Sequence, residues 1–340
     1  MPVFDHTRFL ALLLAGALGV LNDAGAQAAS PIVIKFSHVA AVDTPKGQGA
    51  ERFKKLAEER TQGRVHVDVY PNSSLFKDKE ELEALQMGSV QMLAPSISKF
   101  GPFGVKEFEV FDLPFVTPDI AAFQRLTNSE FGKSLLKKLE PRGVRGLAYW
   151  DAGFRVITSN RPLHRLADFK GMKIRINSSK VNDATMRAVG AIPQTMAFSE
   201  VYQGLQTGVV DGADTVMYNA LTQKFYEVQK HIALVHHSHQ GYILVANKKF
   251  WDGLPKDLRQ ALDSAAADAS TYENALSVAE ERNAVDKIRA SGKSIVYEPS
   301  KAEREEIRKA MMSVHRDMEG RLGRDNIKSI YKATGFTPID

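Results

Sequence analysis

One long stretch of the sequence, residues 256–291, contains neither glycine nor proline and is rich in alanine and in charged residues. These residue types favour helix, and the two residues that most often interrupt a helix are missing. A single helix of this length would extend about 50 Å, which exceeds one small domain. We therefore expect a helix that either bridges two domains or bends.

The first part of the chain alternates between strand and helix patterns. Thr44 and Pro45 form a favourable helix start, and Gly88 is placed to end a second helix. The predicted order is strand, helix, strand, helix, strand, at residues 31–37, 44–59, 64–71, 77–88 and 90–96. This order is typical of a parallel sheet covered by helices, which places the chain in the α/β class.

A second unit of the same kind follows. A helix at 119–140, interrupted at Gly132, and a strand at 144–151 lead to a point where the pattern starts again. A helix is expected to begin at Ser199, which is a good helix cap. The other elements predicted in this part are at 154–160, 172–177, 181–190, 193–198, 231–247, 294–299 and 301–322. Residues 231–247 favour one or two strands that lead back to the first unit. We therefore expect two α/β lobes around a cleft.

The first 28 residues have the pattern of a secretory signal peptide. Arg8 supplies positive charge, residues 9–21 are apolar, and Ala26 and Ala28 are the small residues of a cleavage site. The apolar run is shorter than the roughly 20 residues that span a bilayer, so we favour cleavage over a retained membrane anchor. The mature chain, from about Ala29, is expected to be exported and soluble.

The composition excludes several kinds of site. The chain has no cysteine, which rules out thiolate metal sites, thiol catalysis and disulfides. The net charge of +5 is modest for 340 residues, and basic and acidic residues are interspersed, so nucleic acid is not an expected partner. Motifs of serine hydrolases, zinc proteases, P-loop proteins and dinucleotide-binding enzymes are missing, and no cofactor is expected.

Four histidines lie close together, at His231, His236, His237 and His239. In a strand, His237 and His239 would share one face and could form half of a metal site. The alternative is a group of surface or cleft-edge histidines on a pair of strands. Because no carboxylate at ligand spacing accompanies them, we favour the alternative and predict no metal site.

Two arginines on predicted strands are candidate ligand-binding residues. Arg155 lies at the start of the second unit, and Arg175 lies between Ile174 and Ile176, which share the opposite face of their strand. An arginine among aliphatic residues usually has a partner. That partner is either an internal aspartate or glutamate, or a bound carboxylate held by two parallel hydrogen bonds. The chemistry of the residues alone leaves both possibilities open.

Those arginines and their flanking residues carry a family resemblance. The chain closely resembles the extracytoplasmic solute-binding proteins of tripartite ATP-independent periplasmic (TRAP) transporters, in particular the dicarboxylate-binding DctP group. The similarity extends over essentially the whole mature chain, and it is carried by residues 34–61, 67–96, 168–180, 197–212, 223–231 and 241–255. It is far more specific than any single short motif.

The resemblance implies a two-lobed periplasmic binding protein fold of the type II kind, with a long helix crossing both lobes. We expect a first lobe of residues 29–152 and about 241–280, and a second lobe of residues 153–240 and about 281–340. Family members close around a ligand and deliver it to a membrane permease, with import driven by an ion gradient, usually sodium. The expected function is a monomeric periplasmic receptor for a C4-dicarboxylate or a related organic or sugar acid, not an enzyme.

The resemblance also implies a set of ligand-binding residues. Arg175 matches the arginine that binds the ligand carboxylate, and Arg155 matches a second arginine common in carboxylate binders. Phe198 matches an aromatic residue that packs on the ligand. Further polar contacts with the ligand are expected from His38, Ser96, Asp214, Thr215 and Asn219.

Two segments depart from the family pattern. The family usually has Val-Asp-Gly-Gln-Glu-Asn-Pro at residues 210–216, whereas here Thr215 replaces the ligand-facing asparagine and Val216 replaces the proline. Residues 236–239 are His-His-Ser-His, where close relatives have Ser-Asn-His-Gly. Both differences alter the cleft wall and therefore bear on the identity of the ligand. Two alternative functions also remain, an enzyme on the same scaffold and a receptor for a metal or a metal–carboxylate complex.

Overall fold

The computed structural model describes residues 30–338, so the predicted signal peptide lies outside the described residues. The strands are β1 (Ile32–Ser37), β2 (Val65–Tyr70), β3 (Met92–Leu93), β4 (Val144–Ser159), β5 (Lys173–Ile176), β6 (Ile192–Thr195), β7 (Gly212–Val216), β8 (His231–Ala233), β9 (His239–Asn247) and β10 (Ile295–Tyr297). The helices are α1 (Pro45–Arg60), α2 (Glu81–Gln86), α3 (Ile120–Asn128), α4 (Glu130–Lys137), α5 (Lys180–Ala188), α6 (Val201–Gln206), α7 (Met217–Thr222), α8 (Phe225–Val228), α9 (Lys248–Asp252), α10 (Lys256–Ser291), α11 (Lys301–Met311), α12 (Ser313–Asp317), α13 (Glu319–Leu322) and α14 (Arg324–Thr334).

The strands form one mixed sheet in the order β2-β1-β3-β9-β4-β7-β5-β6, with β8 paired to β4 and β10 paired to β8. Pairing is parallel within each predicted unit, between β1 and its neighbours β2 and β3 and between β5 and its neighbours β6 and β7. Strand β9 returns antiparallel between β3 and β4, as the pattern at residues 231–247 predicts. The α/β class and the two-lobed architecture are therefore confirmed.

The two lobes share strand β4. The sequence predicts two strands at 144–151 and 154–160, but the structure has one strand of 16 residues. Its first part pairs with β9, and Arg155 to Ser159 pair with β7. Between Asp151 and Phe154 the register shifts, and Gly153 there has a φ of 78°, a conformation that glycine adopts without steric cost. We call the part with β1, β2, β3 and β9 the first lobe and the part with β5, β6, β7, β8 and β10 the second lobe.

The long helix predicted from residues 256–291 is present over the same bounds as α10. It packs against α1 in the first lobe and against α7 and β10 in the second lobe. Ala265 and Ala269 are buried toward its start, and Ala284 and Ile288 toward its end. The helix therefore crosses both lobes, as expected. No helix within residues 30–338 is both long and apolar enough to cross a bilayer.

The C-terminal segment departs from the predicted lobe assignment. Residues 281–340 were expected in the second lobe, and α11 and α12 do pack on α5 of that lobe. Helix α14, which the sequence analysis does not predict, packs instead on α3 and α4. Its buried Ile327 and Ile330 share one apolar cluster with Leu126 and Leu135. The apolar face of α14 thus ties the end of the chain back to the first lobe.

Three predicted helix boundaries can be compared with the structure. The Thr44 side chain caps α1 by accepting a hydrogen bond from the Gly47 amide at 3.1 Å, as predicted. Ser199 does not cap a helix, because α6 begins only at Val201 after a short 3₁₀ turn. The interruption between α3 and α4 falls at Ser129, which caps α4, and not at Gly132. Gly132 instead gives the space for α4 to approach the carbonyl group of Leu126.

Candidate functional site

The lobes face each other across a cleft and are in contact along it. The Phe198 amide of the second lobe donates a hydrogen bond to Asp78 of the first lobe at 3.1 Å. Asn177 Nδ2 of the second lobe donates to Ser96 Oγ of the first lobe at 3.2 Å. These contacts describe a closed arrangement of the two lobes.

A cavity lies between the lobes at these contacts. It encloses about 430 Å³ of space that no protein atom fills, including its open mouth. The cavity is lined by Val39, Ala40, Lys46, Asp78, Ser96, Lys99, Arg175, Asn177, Phe198, Asp214, Thr215, Asn219, Gln240 and Tyr242.

The cavity brings together most of the residues that the sequence analysis selected. Six of them line it, namely Ser96, Arg175, Phe198, Asp214, Thr215 and Asn219. The other two, His38 and Arg155, do not line it. Five of the six come from the second lobe and one from the first, so both walls of the cleft take part.

Arg175 is part of the second-lobe wall of the cavity. Ile174 and Ile176 are fully buried in an apolar cluster, so the alternation of β5 directs Arg175 to the other face of the strand. Arg175 is 4% exposed, and its Nε and Nη2 atoms both donate to the Met196 carbonyl, at 3.1 and 2.9 Å. Burial lowers the pKa of Arg175 to about 10, although nearby Asp78 and Asp214 act in the opposite direction, so the side chain remains charged at neutral pH.

Arg155 has internal partners and does not line the cavity, so its expected contact with the ligand stays a prediction. Its Nη1 donates to Asp214 Oδ2 at 3.0 Å, and its Nη2 lies 3.6 Å from Asp112 Oδ1. Ser98 links the group by donating to Asp112 at 2.6 Å. Burial raises the pKa of Asp112 to about 6, with Arg155 opposing that shift. The two carboxylates within reach balance the charge of the guanidinium, so Arg155 supports Asp214 from behind the cavity wall.

His38 also lies behind the cavity wall. It follows β1 two residues after Phe36, so both side chains are on the face of the strand that packs into the core. The imidazole is fully buried and meets the Phe36 ring edge-on, with 6.3 Å between ring centroids. Burial lowers the pKa of His38 to about 3, and Lys46 shifts it in the same direction. His38 is therefore a neutral, buried residue that does not line the cavity, and its expected polar contact with the ligand stays a prediction.

A first-lobe ion network, which the sequence analysis missed, forms the opposite wall. Lys99 Nζ lies 2.6 Å from Glu81 and 3.4 Å from Asp78, and all three side chains are buried. Burial raises the pKa of Glu81, with Lys99 opposing the shift. Burial alone would raise the pKa of Asp78 as well, but Lys99, Arg175 and the Phe198 amide together lower it. The charge of Lys99 is thus balanced by carboxylates of the protein itself.

Lys46 is a second cation that the sequence analysis missed. It lies in the first turn of α1 with its Nζ 3.4 Å from the centroid of the Tyr242 ring. The hydroxyl of Tyr242 accepts hydrogen bonds from Asn219 at 3.4 Å and from Gln240 at 3.2 Å. In a single sequence, Lys46 looks like an ordinary lysine at a helix start and Tyr242 like part of an apolar strand, so only the folded chain identifies them.

The clustered histidines separate in the structure. His237 is buried 3.8 Å from Asp214, and His239 lies 3.2 Å from Asp151 and stacks on Phe123. His236 packs beside the Phe154 ring. Within residues 30–338, no group of three or more histidine, aspartate or glutamate side chains is arranged to hold a metal ion. The structure therefore gives no support to a metal-binding receptor.

Comparison with known proteins identifies the family. The family described as bacterial extracellular solute-binding protein, family 7 (DctP), matches residues 36–321. The C4-dicarboxylate-binding periplasmic protein DctP of Rhodobacter capsulatus is 52% identical over 306 residues, covering 90% of this chain and 92% of that protein.

Two solved structures are similar to this one over most of its length. A TRAP periplasmic solute-binding protein of Shewanella oneidensis with bound succinate has a TM-score of 0.87 and 39% identity, over 89% of this chain and 99% of the other. One from Pseudomonas aeruginosa with bound L-malate has a TM-score of 0.82 and 40% identity, over 84% of this chain and 100% of the other. With its two-lobed fold and its cleft cavity, the chain belongs to the DctP family of bacterial extracellular solute-binding proteins, the receptors of TRAP transporters.

Proposed function

We propose that this protein binds a C4-dicarboxylate or a closely related organic acid, with one carboxylate held by Arg175. The observation that carries the proposal is the state of Arg175. It is buried at the cavity and, among the described residues, forms no ion pair with an aspartate or glutamate. A buried cation without a directly paired counter-charge is costly, and a ligand carboxylate would supply that pair through two parallel hydrogen bonds.

The other predicted cavity residues have roles that depend on the ligand. Phe198, whose ring centroid is 5.8 Å from Arg175 Cζ, would cover the apolar carbons next to the bound carboxylate. Ser96, Thr215 and Asn219 are polar groups that could bind a hydroxyl or keto substituent. Asp214 has its charge offset by Arg155, which removes much of the repulsion that it would otherwise exert on an anion. A sugar acid remains the alternative ligand class.

Lobe closure would couple binding to transport. A ligand favours the closed form only through contacts that it makes to both lobes in that form. Here the cavity walls come from both lobes, so a bound acid would stabilise closure, and the closed form would be presented to the membrane subunits of a TRAP permease. The relatives bind succinate and L-malate, which supports this ligand class. We infer export to the periplasm through cleavage after residue 28, and action as a monomer.

A thermal-shift screen of organic acids tests the ligand class. We expect succinate, fumarate and L-malate to raise the melting temperature, because a ligand at 100 times its Kd stabilises the native state by about 2.7 kcal/mol. Butyrate should raise it much less, and EDTA should change nothing. A screen in which only sugar acids or metal ions stabilise the protein would contradict the proposal. Recovered ligand should be chemically unaltered by NMR, whereas turnover would indicate an enzyme.

A further inference from the structure

Four buried cations surround the cavity, and they differ in how their charges are balanced. Lys99 is paired with Asp78 and Glu81, and Arg155 with Asp112 and Asp214. Arg175 and Lys46 have no ion pair among the described residues, although they are only 4% and 2% exposed. The cavity is therefore bounded by two buried basic side chains that have no ion-pair partner in the described part of the chain.

The position of Lys46 is unfavourable for a cation. It lies in the first turn of α1, where the helix dipole attracts anions and repels cations. Its Nζ contacts the face of Tyr242 but forms no hydrogen bond to a residue that the structure describes. Burial lowers the pKa of Lys46 to about 7, with Glu81 opposing that shift. An anion in the cavity would remove each of these penalties.

We propose, with a carboxylate ligand at Arg175 as the premise, that Lys46 binds a second carboxylate of the same ligand. The two cations lie on different lobes, Lys46 on α1 of the first and Arg175 on β5 of the second. Both line the same cavity. A dianion would supply one carboxylate to each of these two side chains, and Lys46 is the residue that distinguishes a dicarboxylate from a monocarboxylate of equal length.

Tyr242 would hold the Lys46 side chain in place for this contact. Its ring lies under the ammonium group, and its hydroxyl is fixed by Asn219 and Gln240. A cation over an aromatic face keeps its hydrogen atoms free for an acceptor on the other side. Asn219 would then act on the ligand through Tyr242 and Lys46 as well as by lining the cavity.

A dicarboxylate would bridge the two lobes, whereas a monocarboxylate would be held at Arg175 alone. Because only contacts to both lobes favour closure, Lys46 would make closure depend on the second carboxylate. A receptor built in this way would bind a monocarboxylate without closing firmly, and would present mainly dicarboxylates to the permease.

Calorimetric titration of Lys46→Met with succinate and with butyrate tests the assignment. We expect Kd for succinate to rise about 100-fold, which is within the effect of removing one partner of a buried charge pair. Kd for butyrate should stay within about threefold of the parent, because butyrate has no second carboxylate. Lys55→Met, at an exposed lysine of the same helix, is the matched control and should leave both values unchanged.

Proton uptake provides a second readout that a purely structural lysine would not give. A carboxylate beside Lys46 raises its pKa, so at pH 8 succinate binding should take up roughly one proton. Charged groups that face Lys46 are Asp78, Glu81, Lys99 and Glu273, with His38 nearby. The uptake should disappear in Lys46→Met, and it should also disappear in Lys46→Arg, which stays charged but should keep most of the preference for succinate.

Each result has a separate meaning. If Lys46→Met weakens succinate and butyrate equally, or if neither changes while the parent binds succinate tightly, the assignment of Lys46 is overturned and the proposed function stands. If the parent binds neither acid, the proposed function itself fails. A loss of both ligands through misfolding would be revealed by a lowered melting temperature, and Lys46→Arg then decides the question through its ratio of succinate to butyrate affinity.

Discussion

Replacing Arg175 with methionine is expected to weaken dicarboxylate binding by about a thousandfold. The guanidinium is buried, lines the cavity and forms no ion pair within the described chain, so the ligand carboxylate would be its principal counter-charge. Removing one partner of a buried, hydrogen-bonded charge pair costs 2–5 kcal/mol or more, and about 4 kcal/mol corresponds to a thousandfold change in Kd. Isothermal titration of succinate into parent and variant measures this effect.

The stability of the ligand-free variant separates ligand binding from a structural role. Arg175→Met removes a buried charge, so the ligand-free protein should be at least as stable as the parent, while the rise in melting temperature with succinate should vanish. Arg175→Lys keeps a charge but loses the bidentate geometry, so it should bind with intermediate affinity. Arg187→Met, at an exposed arginine paired with Asp183 on α5, is the control. Unchanged succinate affinity in Arg175→Met would refute its role as anchor.

Replacing Arg155 with methionine is expected to destabilise the fold by about 3–5 kcal/mol, since breaking a buried ion pair leaves an uncompensated charge. Arg155 is 1% exposed, and its loss would leave Asp112 and Asp214 buried without their cation. Urea denaturation of the ligand-free protein measures the change. Because Asp214 lines the cavity, affinity for the ligand should fall as well, although less than in Arg175→Met.

The pH dependence of this loss follows from Asp112. In the parent, burial already raises the pKa of Asp112 to about 6 against the opposing effect of Arg155. Without Arg155 the folded-state pKa rises further above the unfolded value, so ionised Asp112 opposes folding at neutral pH. As the pH falls through that raised pKa, the folded state takes up a proton, and the loss of stability relative to the parent should shrink. A difference in the free energy of unfolding between parent and variant that stays constant from pH 7 to pH 5 would contradict this account.

Arg145→Met is the matched control for Arg155→Met, because it lies on the same strand, β4. Its partner Asp252 is 2.9 Å away, and both side chains are 35% exposed, so water screens the pair. A pair of this kind contributes about 0–1 kcal/mol. Adding Asp214→Asn to Arg155→Met should recover part of the lost stability, since one uncompensated carboxylate is removed with the cation.

Much of the fold was predictable because it depends on local patterns. The bounds of α10 follow from a run without glycine or proline, and the start of α1 follows from Thr44 and Pro45. The separate strands predicted at 144–151 and 154–160 were wrong, because a bulge at Gly153 interrupts the pattern without interrupting the strand. Helix α14 was missed, and its position on α3 and α4 depends on apolar contacts with residues about 200 positions earlier.

The candidate site also contains some residues that the sequence predicts and others that only the tertiary structure identifies. Alternation along β5 predicted that Arg175 would face away from Ile174 and Ile176, and the same rule, applied to Phe36 and His38, explains why His38 turns inward. The family resemblance located six residues that line the cavity. Neither the strand pattern nor the family resemblance identified Lys46 or Lys99. These two lysines differ from the other lysines of the chain only in their folded surroundings.

The sequence by itself determined the α/β class, the long bridging helix and the family, because periodicity, helix signals and segment similarity are properties of the chain. Tertiary structure alone decided which buried arginine has a protein partner and which does not. Two strands, β4 and β7, bring Asp214 to Arg155, whereas no carboxylate comes within ion-pairing distance of Arg175 in the described residues. Electrostatic balance depends on distances across the fold, and these are set only when the two lobes meet.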